Sequence, residues 1–200
     1  MAPLGSTMLE LSERAGLLEL ARRSIAHGSG GRHPAATPED AWSPALLEQR
    51  ATFTTLTLEG ELRGCCGTIE PQRALVEDVW HNAWASAYAD PRFWPVSTTE
   101  LGLLEIAISV LTPLEPIAAG DEAELIAALE PGVDGLVLRC GAARATFLPA
   151  VWESLPDPRE FVAHLRRKAG WSADSWPRAM TAFRYRTETF RTGRDAALAA

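Results

Sequence analysis

Apolar positions recur three and four apart over residues 9–27, where Leu11, Ala15, Leu18 and Ile25 mark one face of a helix. Thr7-Met8-Leu9-Glu10 has capping-box spacing at its start. The pattern stops at Gly28-Ser29-Gly30-Gly31-Arg32-His33-Pro34, which predicts a flexible loop reaching about Asp40. Ser43-Pro44 can cap and start a short helix ending near Gln49. The period then changes. Residues 52–59, rich in threonine, and 61–69 predict two strands joined by a tight Glu59-Gly60 turn. Pro71 closes the second strand, and Leu75, Val76, Val79, Ala83 and Ala87 restore a helical period over 72–89. Ala83, Ser86 and Ala87 are small, so that helix can admit a neighbour at close range. Asp90-Pro91 ends it.

The second half repeats this mixture. An apolar run over 103–111 predicts a buried strand, and Asp121 caps a helix over 122–129. A turn at Pro131-Gly132-Val133-Asp134-Gly135 precedes strands over 136–140 and 143–148, with Gly141 between them. Pro158 starts a helix to about Ala169, and alternation over 180–190 predicts one strand with Phe183, Tyr185, Thr187 and Thr189 on one face. Hairpins mixed with helices, without regular βαβ units, predict an α+β fold. The expected architecture is a main antiparallel sheet with strands near 52–59, 61–69, 103–111 and 180–190. Helices near 9–27, 72–89 and 158–169 should pack against it. Residues 1–8 and 192–200 read as flexible termini.

Composition narrows the class. The chain has 200 residues, 46% hydrophobic and 22% charged, which suits a folded core and excludes wholesale disorder. No run approaches the ~20 apolar residues of a membrane span, and no basic-then-apolar leader opens the chain. Three cysteines, two of them adjacent, make no disulfide framework, so a reducing cytoplasm is the expected compartment. The net charge of −7 disfavours general nucleic-acid binding. Residues 159–194 nonetheless carry nine basic side chains against three acidic ones, leaving −13 on the rest. Such a segment can meet a phosphate or an acidic partner. Pairing of its arginines with the acidic remainder is the simpler account.

Leu62-Arg63-Gly64-Cys65-Cys66-Gly67 carries the most chemistry per residue. Alternation along a strand sends the two thiols to opposite faces. Gly64 and Gly67 remove bulk on both sides, permitting close approach of a ligand or of another chain segment. Arg63 can favour a thiolate, the nucleophilic form. The competing account is that both cysteines are small packing residues, as free cysteine often is. Arg92, in Asp90-Pro91-Arg92-Phe93, can join Arg63 as an anion clamp or can pair with Asp90, with Phe93 and Trp94 plugging a core.

Thr54-Thr55-Leu56 followed by Leu62-Arg63-Gly64-Cys65 and Gly67 resembles the signature of the AMMECR domain family, Leu-Arg-Gly-Cys-Ile-Gly. Asp90-Pro91-Arg92-Phe93, Pro95, Glu100-Leu101, Ser109-Val110-Leu111, Gly132, Asp134-Gly135, Phe147-Leu148-Pro149, Val151, Phe161, Leu165, Lys168-Ala169-Gly170 and Trp176 extend the resemblance over residues 9–191, one domain. It implies an α+β fold of two unequal lobes with a cleft. It also implies an association with Memo-like and radical S-adenosylmethionine proteins, because prokaryotic members are called AmmeMemoRadiSam system protein A. It brings no settled reaction. Cys66 stands where the family usually has isoleucine, which makes Cys66 the expected buried replacement and Cys65 the thiol to watch.

The remaining residues add constraints. His27, His33, His81 and His164 have no zinc spacing among themselves or with cysteine, and the three-cysteine run of a radical enzyme's cluster is absent. No metal site is expected and no cofactor is named. No Walker loop, Rossmann fingerprint or serine elbow occurs. Seven tryptophans default to core packing, with partner contact as the alternative. The first reading is a small-molecule enzyme using Cys65 as nucleophile or thiolate in a cleft, with Arg63, Gly64, Gly67 and Arg92 binding a small acidic or phosphorylated ligand. His81 or Glu70 could serve it as a base in space. A non-catalytic substrate-binding or adaptor partner is the second reading, and a nucleic-acid-associated protein is a weaker third.

Overall fold

The computed structural model of the chain describes residues 8–29, 37–38, 41–172, 176–177 and 179–193. Thr7, most of the expected loop with His33, nearly all of both termini, Asp174, Arg178 and Arg194 lie outside the described residues. The fold is α+β, with two antiparallel four-stranded sheets. The chain forms two compact units: Met1–Leu111 with Glu188–Ala200, and Thr112–Thr187.

In the first unit, helix α1 (Leu11–Gly28) opens at Glu10, whose backbone N–H donates to Glu13 Oε2 at 2.9 Å. The reciprocal box therefore begins at Glu10, three residues later than the Thr7 spacing suggests. Helix α2 (Pro44–Leu47) is short. Strands β1 (Thr52–Leu58) and β2 (Glu61–Gly67) form the predicted hairpin. Its turn requires positive φ at both central residues, 53° at Glu59 and 84° at Gly60, which matches the right-handed twist of the strands. Helix α3 (Leu75–Tyr88) begins three residues later than the pattern suggests, because Ala74 is held in a bridge to Gln49. Strand β3 (Glu105–Leu111) pairs with β1.

Leu56, Ile106, Ile108 and Val110 point to the same side as Leu17, Leu20 and Ile25 of α1 and Val76, Val79 and Ala83 of α3. Burying this face supplies the unit's main stabilisation, roughly 1.5–3 kcal/mol for each large apolar side chain. A buried carboxylate ties the layers together. Asp78, fully buried on α3, accepts from Thr52 N at 2.9 Å, Thr52 Oγ1 at 2.8 Å, Thr68 Oγ1 at 2.7 Å and Asn82 Nδ2 at 2.8 Å. Arg73 donates to its other oxygen at 3.0 Å, so the charge is both paired and hydrogen-bonded.

The second unit contains β4 (Glu115–Ile117), α4 (Glu122–Ala128), β5 (Gly135–Cys140), β6 (Ala143–Phe147), a 3-10 turn (Pro149–Glu153), α5 (Pro158–Lys168) and β7 (Thr181–Tyr185). Asp121 caps α4 as expected, accepting from Glu124 N at 2.8 Å. Phe161, Val162 and Leu165 of α5 pack on Leu136, Leu138 and Ala182, while Trp152 stacks on Phe161 with centroids 3.7 Å apart. Among the basic residues of 159–194, Arg166 pairs with Glu122, Arg184 with Asp134 at 3.5 Å and Arg186 with Glu130 at 2.9 Å. These three arginines therefore have structural partners.

The expected main sheet is present and a second sheet stands beside it in the sequence, with one segment divided between the two. The sheet orders are β2-β1-β3-β8 and β4-β7-β5-β6. The expected strand over 180–190 is two strands, β7 and β8 (Thr187–Arg191), and each belongs to a different sheet. Arg186 separates them: its N–H donates to Thr112 Oγ1 and its carbonyl accepts from Thr112 N, both at 2.9 Å. Alternation records which face a residue takes and not which strand lies beside it, so it runs through the junction unchanged. For the same reason the helix over 158–169 packs on the second sheet and not on the first.

The closest packing in the first unit lies between β2 and α3. A Cβ built on Gly64 would fall 2.0 Å from the Ser86 carbonyl oxygen, which is backbone and cannot swing aside. Gly64→Ala should therefore destabilise the protein toward or beyond the upper end of about 1–3 kcal/mol. Gly102→Ala, where a Cβ meets nothing within 4 Å, should stay within about 1 kcal/mol of wild type. Urea denaturation midpoints measure both, and equal effects would contradict this packing.

Candidate functional site

The candidate residues gather on β2 and on the loop after α3. Along β2, Gly64 and Cys66 pair with Leu56 and Thr54 of β1, whose side chains are buried. This face meets α3: Cys66 N donates to Ser86 Oγ at 2.8 Å, and Ser86 Oγ lies 2.7 Å from Thr54 O and 2.8 Å from Asn82 O. Cys65 pairs with Thr55 and takes the opposite face. The Thr55 hydroxyl donates to Cys65 Sγ at 3.4 Å.

The two thiols are thus held differently, although both are half-buried. Burial pushes Cys66 up to about 11, and the nearby Asp90 carboxylate adds to the shift. Cys66 is therefore a protonated thiol at neutral pH. It is half-buried and not fully sequestered as the isoleucine replacement suggests.

Arg63 occupies a β-bulge. Leu62 pairs with Thr57 and Gly64 with Leu56, so Arg63 is the extra residue, and bulges re-aim side chains in this way. Its guanidinium grips Glu100 through Nε at 2.7 Å and Nη2 at 3.2 Å. Nη1 donates to Trp94 O at 2.9 Å. Glu100 also accepts from Ser97 N at 2.8 Å, and the Arg63 hydrogen bonds hold its carboxyl down at about 2. Arg92 is similarly occupied. Its Nε donates to Asp90 Oδ1 at 2.9 Å and its Nη2 to Asp90 Oδ2 at 2.7 Å. Nη2 also reaches the Cys65 carbonyl at 3.3 Å, while Cys65 N donates to Asp90 Oδ2 at 2.9 Å. Asp90 and Arg92 therefore clamp the peptide of Cys65 from both ends.

The structure brings Arg92 to Cys65 and sets Arg63 two residues away on the same strand, each with a carboxylate partner. The space beside the glycines is taken by the fold itself: α3 backbone at Gly64, and the Phe53 ring at Gly67, where a Cβ would fall 2.3 Å from Phe53 Cγ. Glu70 falls in the connection between β2 and α3, and His81 lies on α3. Thr55, Ser86 and Glu100 complete the arrangement without having been singled out for it. Thr55 sits in the Thr54-Thr55-Leu56 run and Ser86 in the small-residue face of α3, but their roles arise from contacts between distant segments. Among the described residues, no group of three His, Cys, Asp or Glu side chains could hold a metal ion. Among them also, no helix is long and apolar enough to cross a membrane.

Arg92 hydrogen bonds hold the Asp90 carboxyl down at about 2, below its ordinary ~3.9. A depressed carboxyl stabilises the fold fully above its unfolded value and loses that contribution as pH falls through the folded one. Asp90→Asn should destabilise the protein by about 2 kcal/mol at neutral pH. The gap between wild type and variant should close as pH drops from about 4 toward 2. Denaturation midpoints across that range measure it; a pH-independent gap would show that charge is not the cause.

The AMMECR1 family model matches residues 18–190. A protein of Methanothermobacter thermautotrophicus is 34% identical over 171 residues, covering 83% of this chain and 86% of its own. One from Methanosarcina acetivorans is 35% identical over 189 residues, covering 92% and 94%. The crystal structure of an uncharacterised protein from Pyrococcus horikoshii matches with a TM-score of 0.83 at 32% identity, covering 92% of this chain and 94% of that one. The chain belongs to the AMMECR1 family.

Proposed function

We infer that the chain is a small-molecule enzyme whose reactive atom is Cys65 Sγ, acting as nucleophile or thiolate alongside Memo-like and radical S-adenosylmethionine partners. One observation carries this reading: the Thr55 hydroxyl donates to Cys65 Sγ at 3.4 Å on the face of the sheet opposite α3. A donor on sulfur favours the charged form. The neighbouring Cys66, pushed up to about 11, is excluded from that role.

Arg92 is the residue that would receive an acidic or phosphorylated substrate group. Its Nε and Nη2 are used internally, and its side chain is 54% exposed, so Nη1 is the nitrogen left to take an oxygen of the ligand. Arg63, Gly64 and Gly67 act through position. Arg63 fixes the loop beside β2, and the glycines let the strand sit close to its neighbours.

A second reading, a non-catalytic binding partner in the same system, is favoured by the charge balance. Both arginines face carboxylates, Arg63 at 2.7 Å and Arg92 at 2.7 Å, so the positive field on Cys65 is largely cancelled.

Alkylation with iodoacetamide near neutral pH, mapped by mass spectrometry on the folded protein, separates the two. The enzyme reading expects Cys65 to react at least tenfold faster than Cys66 and faster than a free model thiol, and Thr55→Val to slow it. Cys65 reacting no faster than Cys66 would turn the assignment to the binding partner.

A further inference from the structure

Trp94 is 88% exposed, more than any other large apolar residue among those described. Its backbone is nevertheless held. The Trp94 carbonyl accepts from Arg63 Nη1 at 2.9 Å, and that of Pro95 from Nη2 at 3.4 Å. Val96, 5% exposed, buries itself in the first core and donates to Ala87 O at 2.9 Å. The loop thus presents an indole to solvent on a braced support.

Two more exposed apolar side chains flank the same Arg63–Glu100 pair. Leu62, 43% exposed, precedes Arg63 on β2; Leu103, 64% exposed, donates its N–H to Glu100 O at 2.8 Å. The surrounding charge is acidic. Glu59 is exposed in the hairpin turn beside β2, and exposed Glu105 shares with Leu62 the partner Thr57 across adjacent strands, which puts Glu105 on the face of Leu62; Glu61, paired with Leu58, takes the other face. Arg63 adds no positive charge here, because Glu100 cancels it.

We propose that Trp94, Leu62 and Leu103 form a docking surface for a short basic segment of another protein, which places an apolar anchor against the indole and its lysines or arginines against Glu59 and Glu105. Tryptophan dominates interface energetics when an acceptor pocket desolvates it, and a braced loop removes the ordering cost of binding. Three side chains suit a small, transient interface and not an obligate one. A second copy of this chain is the poorer occupant, since two-fold docking would set the same acidic rim against itself.

Selection of a random-peptide phage library on the intact chain, followed by anisotropy titrations of the winning synthetic peptides, tests this. The expected winners carry lysine or arginine around an apolar residue. Their affinity should fall at least tenfold with Trp94→Ala, fall comparably with Glu59→Lys or Glu105→Lys, survive Trp94→Phe in large part, and weaken with salt. Trp94→Ala should melt with wild type, because the side chain touches little; the charge reversals read the same surface should it not. Neutral or acidic winners, winners indifferent to Trp94→Ala and to both charge reversals, or no winners would overturn the proposal. So would sedimentation showing a wild-type dimer that Trp94→Ala dissociates, which would make the occupant a second copy.

Discussion

Contact between the β2 backbone and the α3 backbone governs the first unit. At Gly64 the separation leaves no volume for a methyl group, with the Ser86 carbonyl 2.0 Å from where a Cβ would stand. Ser86 then uses its hydroxyl to accept from Cys66 N and to reach Thr54 O, which pins β2, β1 and the helix at one point. The small residues Ala83, Ser86 and Ala87 make α3 shallow enough for this, and all three are buried. A fourth buried residue of the helix, Asp78, secures the far end of β1 through Thr52.

The asymmetry of the two cysteines follows from that seat. With Gly64 against the helix, Cys66 must share its face and Cys65 must take the other. The bulge at Arg63 sends a guanidinium across to Glu100, and Asp90 with Arg92 clamps the Cys65 peptide. Both ion pairs are bidentate, a geometry arginine favours over lysine. Their work is to fix the main chain around Cys65 and the loop through Trp94, and the charge they carry is spent locally.

Periodicity made most elements legible. The hairpin about Glu59-Gly60, the helix through Leu75 and Val79, the Asp121 cap and the opposed thiols are local consequences of residue type and spacing. The miss at 180–190 has a physical cause: a strand's alternation is blind to its partner, and one residue, Arg186, is enough to pass the chain from one sheet to another. β4 escaped notice because three residues containing Pro116 carry no pattern. At the site, Cys65, Arg63 and Arg92 stood out as chemical types. The Asp90–Arg92 pair was open to view two residues apart, but the other contacts were not, because Thr55 reaches Cys65, Asp90 reaches the Cys65 N–H and Glu100 reaches Arg63 from segments 10 to 37 residues away. Of the two readings open for Arg92, the structure takes the pairing with Asp90 that spacing already offered, while Glu100, the partner of Arg63, lies 37 residues along the chain where one-dimensional spacing cannot place it.

The contact of β2 with α3 sets the Cys66 thiol apart from an ordinary one. Carbon-13 NMR titration of protein labelled at cysteine Cβ, with Cys65→Ser and Cys66→Ser to assign the signals, measures it directly. The expected result is a Cys66 signal that titrates near 11. A Cys66 signal titrating at or below the ordinary thiol value of ~8.5 would contradict it.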